Sequence, residues 1–215
     1  MIRRAGKRIG MGPASQALVG DLDLRDALEK LRGRGAAFLG KALQESFRER
    51  VLKEVAQGDF ERLPAQIGPV RQETDLLLIR KDFGRWPAVA ELRSELVETL
   101  RAQVSHIPGM PQWEPNEAYV QRYRTGALGV SPHVDSKRFV ILVAVFTLAG
   151  SATFSLCTDR YGNALEEWEA ESGSLVLLRA PGFDGSEDGR PFHRVQGPLS
   201  GERYSLTFRM NERDE

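Results

Sequence analysis

Cysteine and histidine are scarce in this chain: Cys157 stands alone, and there are three histidines in 215 residues. A single thiol cannot close an internal disulfide, which excludes a disulfide-stapled secreted scaffold and points to a reducing, cytoplasmic setting. Neither sign of charge prevails, with 30 basic and 30 acidic side chains and a formal net charge of zero. That balance excludes the body-wide basic footprint by which proteins hold nucleic acid through its phosphates. Long hydrophobic runs are missing too. The longest, "FVILVAVFTL" at 139–148, has the length of a strand and falls well short of the ~20 residues that span a bilayer, so no membrane partner is expected. The first twenty residues lack acids: "MIRRAGKRIGMGPASQALVG" carries Arg3, Arg4, Lys7 and Arg8 without the apolar middle of a secretory signal. A loose basic tail over 1–20 is the expectation. An Arg-rich transit peptide and a contact to an anionic partner are the alternatives.

What is present is the composition of one globular domain, 41% hydrophobic and 28% charged, expected over 21–215. A helical part is expected over 21–112. Leu24, Leu28 and Leu31 recur at helical spacing before the Gly33/Gly35 pair, and "GAAFLG" is a short apolar run. Leu43, Phe47, Val51, Leu52 and Val55 form a second stripe, "TDLLLI" at 74–79 reads as a strand, and "PAVAELRSELVETLRAQV" reads as a further amphipathic helix with Pro87 in its first turn. From 113 to 211 the character becomes β: "EAYVQRYR", "FVILVAVFTL", "ATFSLCT", "GSLVLLR", "FHRVQ" and "RYSLTFRM", separated by turn clusters. "GFDGSEDGRP" reads as a mobile polar loop. The fold class is therefore α+β, a barrel or sandwich with helices on one face.

The chemistry concentrates in "SPHVDSKRF", where His133 and Asp135 stand two apart and share one side of an extended segment. A histidine beside an acid is also the pattern of an ordinary turn pair. As metal donors the two need a third ligand from a distant strand, and His193 in "RPFHRVQ" is the candidate; His106 has no acid nearby and is assigned nothing. Two histidines and one carboxylate with open positions suit non-haem Fe(II). The last strand places Arg203, Ser205, Thr207 and Arg209 on one face and Tyr204, Leu206 and Phe208 on the other. Arginines facing inward need anionic partners, and a dicarboxylate cosubstrate would provide them; facing outward, they simply extend into water.

At these motifs the region 113–211 resembles the AlkB-like branch of the Fe(II)/2-oxoglutarate-dependent dioxygenases. "WEPNEAYVQRY" is similar to that family's Phe-Gln-Pro-Asp-x-x-x-x-Asn-Arg-Tyr, "HVD" to its His-x-Asp and "FHRVQGPL" to its Tyr-His-Gly-Ile-x-Pro-Leu. "RYSLTFR" matches its Arg-Tyr-Asn-Leu-Thr-Phe-Arg at six of seven positions. The resemblance implies a double-stranded β-helix, or jelly-roll barrel, with supporting N-terminal helices. It implies Fe(II) on His133, Asp135 and His193, with 2-oxoglutarate and dioxygen consumed. Arg203 and Tyr123 would hold the distal carboxylate of 2-oxoglutarate, and Arg209 would sit by the chelating carboxylate. Gln121 and Ser205 stand where the family has asparagines, which alters reach at the chelating end.

For the substrate the chain departs from the DNA-repair members. Lys137 occupies the position of their second, base-reading acid, and between 68 and 86 only Phe83 and Trp86 are available as stacking surfaces. The expectation is hydroxylation or oxidative demethylation of a small molecule or a protein side chain. An AlkB-type nucleic-acid demethylase is the alternative, and a catalytically silent binding barrel is a third reading opposed by the intact triad. Lys137 and Arg138 suggest an anionic substrate, though a solvated loop pair reads the same way.

Overall fold

The computed structural model describes residues 16–80 and 82–213. Among the described residues there are three α-helices, α1 (Leu24–Arg34), α2 (Glu45–Val55) and α3 (Pro87–Val104). The strands of the N-terminal half are β1 (Ala36–Leu39), β2 (Glu61–Arg62), β3 (Gln66–Ile67), β4 (Val70–Glu73) and β5 (Asp75–Arg80). Those of the C-terminal half are β6 (Glu117–Tyr123), β7 (Gly129–His133), β8 (Phe139–Ala149), β9 (Ala152–Cys157), β10 (Ala164–Ala170), β11 (Leu175–Arg179), β12 (Phe192–Gln196) and β13 (Arg203–Asn211).

Local chemistry sets the helix ends. The Asp23 carboxylate accepts from the Arg25 amide to open α1, and Gly35 closes it in the left-handed conformation at φ 82°. Pro87 begins α3, where its missing N–H costs nothing.

The strands form two antiparallel sheets. One runs β1-β11-β8-β13-β6-β5-β2 and the other β10-β9-β12-β7-β4-β3. Facing each other, they make the double-stranded β-helix expected from the sequence. The N-terminal half is not purely helical: β1, β2 and β5 join the first sheet, and β3 and β4 join the second.

The helices cover the outer face of the first sheet. Phe47, Val51, Leu92 and Leu96 pack there with Leu142, Phe146, Leu206 and Phe208. The other face of that sheet looks into the barrel, where Phe139, Val143, Val176 and Leu178 meet Phe154, Leu156 and Val195 of the second sheet. β8 is thus covered on both faces, which is why its sequence is a continuous apolar run rather than an alternation. Trp113 is buried and donates its indole N–H to the Leu142 carbonyl at 2.8 Å, tying the entry of β6 to β8.

Three expectations change. Arg3, Arg4, Lys7 and Arg8 lie outside the described residues, but Ala17 and Leu18, assigned to the basic tail, are buried, and Leu18 bridges to Leu43. Apolar burial draws the chain into the core before residue 21. The loop over 182–191 is anchored rather than mobile, because Phe183 is fully buried and Asp184 meets Arg32 at 2.7 Å. β10 and β7 were not expected as strands. β10 is an edge strand carrying Glu166, Glu167 and Glu169, and its pairing with β9 overrides that composition. Among the described residues no helix is long and apolar enough to cross a membrane.

Backbone freedom matters most at Gly129, where β7 meets β12. Its φ is 85°, and a Cβ there would lie 2.1 Å from the Val195 carbonyl oxygen on β12. Gly126 also has positive φ, 75°, but open space around it. Gly126→Ala should therefore cost only the strain of the left-handed conformation, roughly 1–2 kcal/mol. Gly129→Ala must also push β7 from β12 and should cost at least about 3 kcal/mol. Chemical denaturation of the two variants measures the difference, and equal losses would rule out the clash.

Candidate metal centre

β7 and β12 are neighbours in the second sheet, and their register sets His193 directly opposite His133. The two imidazoles have centroids 4.3 Å apart, tilted by 52°. Asp135 follows two residues after His133, beyond the end of β7. One ligand atom from each of His133, Asp135 and His193 lies within 4.8 Å of the others. The expected trio converges.

The tautomers are set by neighbouring backbone. His133 Nδ1 lies 2.9 Å from the Ser131 carbonyl and His193 Nδ1 lies 3.2 Å from the Pro191 carbonyl. A carbonyl only accepts, so each Nδ1 carries the hydrogen and each Nε2 keeps its lone pair for a metal. Phe154 stacks on the His193 ring at 5.5 Å and 4°, fixing its plane. Burial, and then the neighbouring His133, push the His193 pKa down from 6.5 to about 4, so the ring is neutral and ready to ligate near neutral pH. For Asp135, burial works to raise the pKa, but the electrostatic influence of the two imidazole rings, His193 and His133, and of the Arg209 and Arg190 guanidiniums outweighs it and holds the carboxyl below its ordinary range. Arg190 also donates to the Asp135 backbone carbonyl, and Asp188 holds Arg190 at 2.9 Å. These two positioning side chains were not picked out from the sequence. "EDGRP" resembles any turn, and only the fold brings it against Asp135.

The trio lines a cavity of about 280 Å³ between the sheets. β6 and β13 supply its polar wall in register: Tyr123 opposite Arg203, Gln121 opposite Ser205 and Tyr119 opposite Thr207. Arg209 lines the same wall. Tyr119 and Thr207 had not been singled out as site residues, though the period-2 alternation that selects their neighbours selects them too. Val143, Val145, Phe154 and Leu178 close the remainder. Lys137 and Arg138 are elsewhere. Lys137 is exposed and paired with Asp188 at 3.6 Å, and Arg138 lies over the Phe139 ring at 4.9 Å.

Arg203 and Arg209 differ in how their charge is met. Arg209 sits between the rings of Tyr119 and Phe139, at 4.2 and 4.5 Å, with the buried Glu117 carboxylate 3.7 Å away. Arg203 is 1% exposed, lies over the Tyr123 ring at 5.3 Å, and donates to the Thr147 hydroxyl at 3.2 Å. Its Nε, like that of Arg209, has no hydrogen-bond partner, but unlike Arg209 it has no described carboxylate in an ion pair with it. Burial lowers its pKa, the mark of a cation short of an anion. The outward-facing alternative for this strand face is thereby excluded. A carboxylate entering the cavity would complete the guanidinium fork.

No protein-family model and no curated protein sequence matches the chain. Solved structures do. A prolyl-4-hydroxylase from Pseudomonas putida is similar at 17% identity over 89% of this chain and 100% of that one, with a TM-score of 0.62. HygX from Streptomyces hygroscopicus, with nickel and 2-oxoglutarate bound, is similar at 13% identity over 88% and 87%, with a TM-score of 0.56. OsALKBH1 is similar at 16% identity over 83% and 97%, also at 0.56. The likeness is one of fold, that of the iron/2-oxoglutarate oxygenases. It does not single out the AlkB branch expected from the motifs, since the prolyl-hydroxylase fold fits as well.

The low His193 pKa has a consequence for stability in the metal-free protein. Between pH 6.5 and about 4 the unfolded chain binds a proton that the folded chain refuses. Stability is therefore full above this window and falls as pH drops through it, by roughly 3 kcal/mol at most. His193→Gln should flatten the pH dependence of the melting temperature between 6.5 and 4. An equally steep fall in the variant would assign the effect to other groups.

Proposed function

We propose that the chain is an Fe(II)- and 2-oxoglutarate-dependent dioxygenase that hydroxylates, or oxidatively demethylates, a small-molecule or protein substrate. The observation that carries this reading is one cavity with two kinds of unmet demand. A ligand atom from each of two histidines and a carboxylate converges there, the donor set of a divalent cation, and the buried Arg203 guanidinium has no carboxylate of the fold in an ion pair with it. A divalent metal and a dicarboxylate satisfy both. Three protein donors leave coordination positions open, as non-haem Fe(II) oxygenases require.

His133, Asp135 and His193 hold the metal in this reading, and Arg203 with Tyr123 takes the distal carboxylate of 2-oxoglutarate. Gln121, Ser205 and Arg209 lie along the same wall and attend the chelating end. The bound metal with 2-oxoglutarate supplies an oxidant from dioxygen, with decarboxylation of the oxo acid to succinate. The chain's part is positional. The Ser131 and Pro191 carbonyls keep the protons of His133 and His193 on Nδ1, and Glu117 steadies Arg209. Val143, Val145, Phe154 and Leu178 exclude water from the reacting end. The nucleic-acid alternative has less support: the β3–β4 hairpin offers Ile67 and Val70 to the cavity rather than aromatic stacking surfaces.

Removing the guanidinium tests the cosubstrate assignment. Arg203→Ala should raise the KM for 2-oxoglutarate about 30-fold or more, the scale of losing one partner of a buried charge pair. Metal affinity, read by Mn(II) titration, should change little. Asp135→Ala should do the reverse, weakening metal binding and abolishing turnover. An unchanged KM in Arg203→Ala would remove that residue from the site. A turnover screen against metabolites, peptides and methylated oligonucleotides tests the substrate class, with formaldehyde release from the last favouring demethylation of nucleic acid.

A further inference from the structure

A second concavity, of about 550 Å³, lies outside the barrel on the side of His133. It shares Val70, His133 and Val134 with the inner cavity, so the two adjoin at a metal-ligand candidate. Its other walls are Pro69, Arg71, Pro132, Arg160, Tyr161 and Phe192 along with Ser131, and no acid lines it. Both arginines are exposed, and neither guanidinium forms a hydrogen bond or ion pair with another described residue. This sets them apart from Arg190 and Arg194 nearby, each held by a carboxylate.

The walls are built, not loose. The Arg71 amide donates to Ser131 Oγ at 2.9 Å, fixing the start of β4 against β7. On the other side, Asp159 accepts from the Tyr161 amide at 2.9 Å and the Asn163 side chain at 2.8 Å. Gly162, at φ 84°, lets this turn press on β7, since a Cβ there would come within 2.9 Å of Pro132. The turn thus presents Tyr161, 86% exposed, beside Arg160 at the groove. A large ring kept in water by a fixed backbone, next to two uncompensated cations and flanked by prolines and Phe192, has the chemistry of a contact surface.

We propose that this groove binds the primary substrate, and that the substrate is an amphipathic carboxylate: an apolar or aromatic body against Tyr161, Phe192 and the two prolines, with anionic oxygens at Arg71 and Arg160. The proposal rests on the reading of the inner cavity as the oxygenase site and adds the substrate's chemical class. A carboxylate matches the guanidinium fork, and the walls between the arginines suit hydrocarbon. A nucleic-acid strand suits the groove less well, because it draws its affinity from many phosphates and only two cations line these walls.

The test uses N-dansyl-glutamate and its uncharged diamide, titrated by fluorescence into the full chain loaded with Mn(II) and saturated with 2-oxoglutarate, which keeps the probe out of the inner cavity. The acid should bind about tenfold or more tightly than the diamide. In the Arg71→Gln/Arg160→Gln double variant that preference should shrink to about threefold or less, since an exposed charge pair is worth up to roughly fivefold and both are removed. Both side chains are exposed, and circular dichroism checks that the variant is folded. Equal binding of acid and diamide, a preference that survives the double variant, or displacement of the probe by a short single-stranded oligonucleotide at micromolar concentration would each overturn the proposal. Binding of 2-oxoglutarate to the Mn(II)-loaded chain is measured separately. Its absence, with the arginine-dependent probe preference intact, would remove the oxygenase reading and leave the groove; its presence without that preference would sink the groove alone.

Discussion

Everything at the centre depends on one antiparallel pairing, that of β7 with β12. It sets His133 across from His193, and the same ladder runs through Gly129, whose hydrogen in place of a side chain lets the two backbones approach. A one-residue slip would turn one ring to the other face of the sheet and dissolve the trio. The surrounding structure guards that register. β9 flanks β12 on its far side, with Phe154 stacked on His193, and β4 flanks β7. The helices act at one remove, sealing the outer face of the first sheet so that its inner face can be given over to polar groups.

Those polar groups carry a thermodynamic cost. A barrel of this size could fill its interior with hydrocarbon, as it does around Leu156 and Val176. Here β13 turns Arg203, Ser205, Thr207 and Arg209 inward, and β6 answers with Tyr119, Gln121 and Tyr123. Desolvating a guanidinium is expensive unless an anion compensates it. Glu117, itself fully buried and held by Arg80 and Asn211, meets that need for Arg209. Arg203 has the Tyr123 ring and the Thr147 hydroxyl against it and no carboxylate within ion-pair distance. The difference between the two arginines separates one with a carboxylate of the fold beside it from one without.

Charge is used differently outside the barrel. Lys137, Arg190 and Asp188 form a local group that braces the loop carrying Asp135, so the basic residues next to the metal trio in sequence serve its geometry. The uncompensated cations near the site come instead from β4 and from the β9–β10 turn, far apart in the chain and joined only at the groove. A neutral overall composition conceals this arrangement, because pairing is a property of positions and not of totals.

Linear pattern alone accounts for the alternation of β13, the two-residue spacing of His133 and Asp135, the helical stripes of α1 to α3 and the doubly buried run of β8. Each is a short-range pattern in which backbone geometry dictates which side chains share a face, so a linear reading recovers it. The residues expected at the site were singled out for the same reason, with motif resemblance joining the distant segments, and the fold gathers His133, Asp135, His193 and Arg203 around one cavity. Contacts between remote strands account for the rest: that β10 is a strand despite its glutamates, that Leu18 is core rather than tail, and that Phe183 anchors a loop of polar composition. The same holds for Lys137, drawn to Asp188 and away from the cavity, and for Arg71 and Arg160, which no linear pattern connects. Burial and ion pairing are long-range quantities, fixed when the two sheets close on each other, and they alone distinguish a cation that has its partner from one that lacks it.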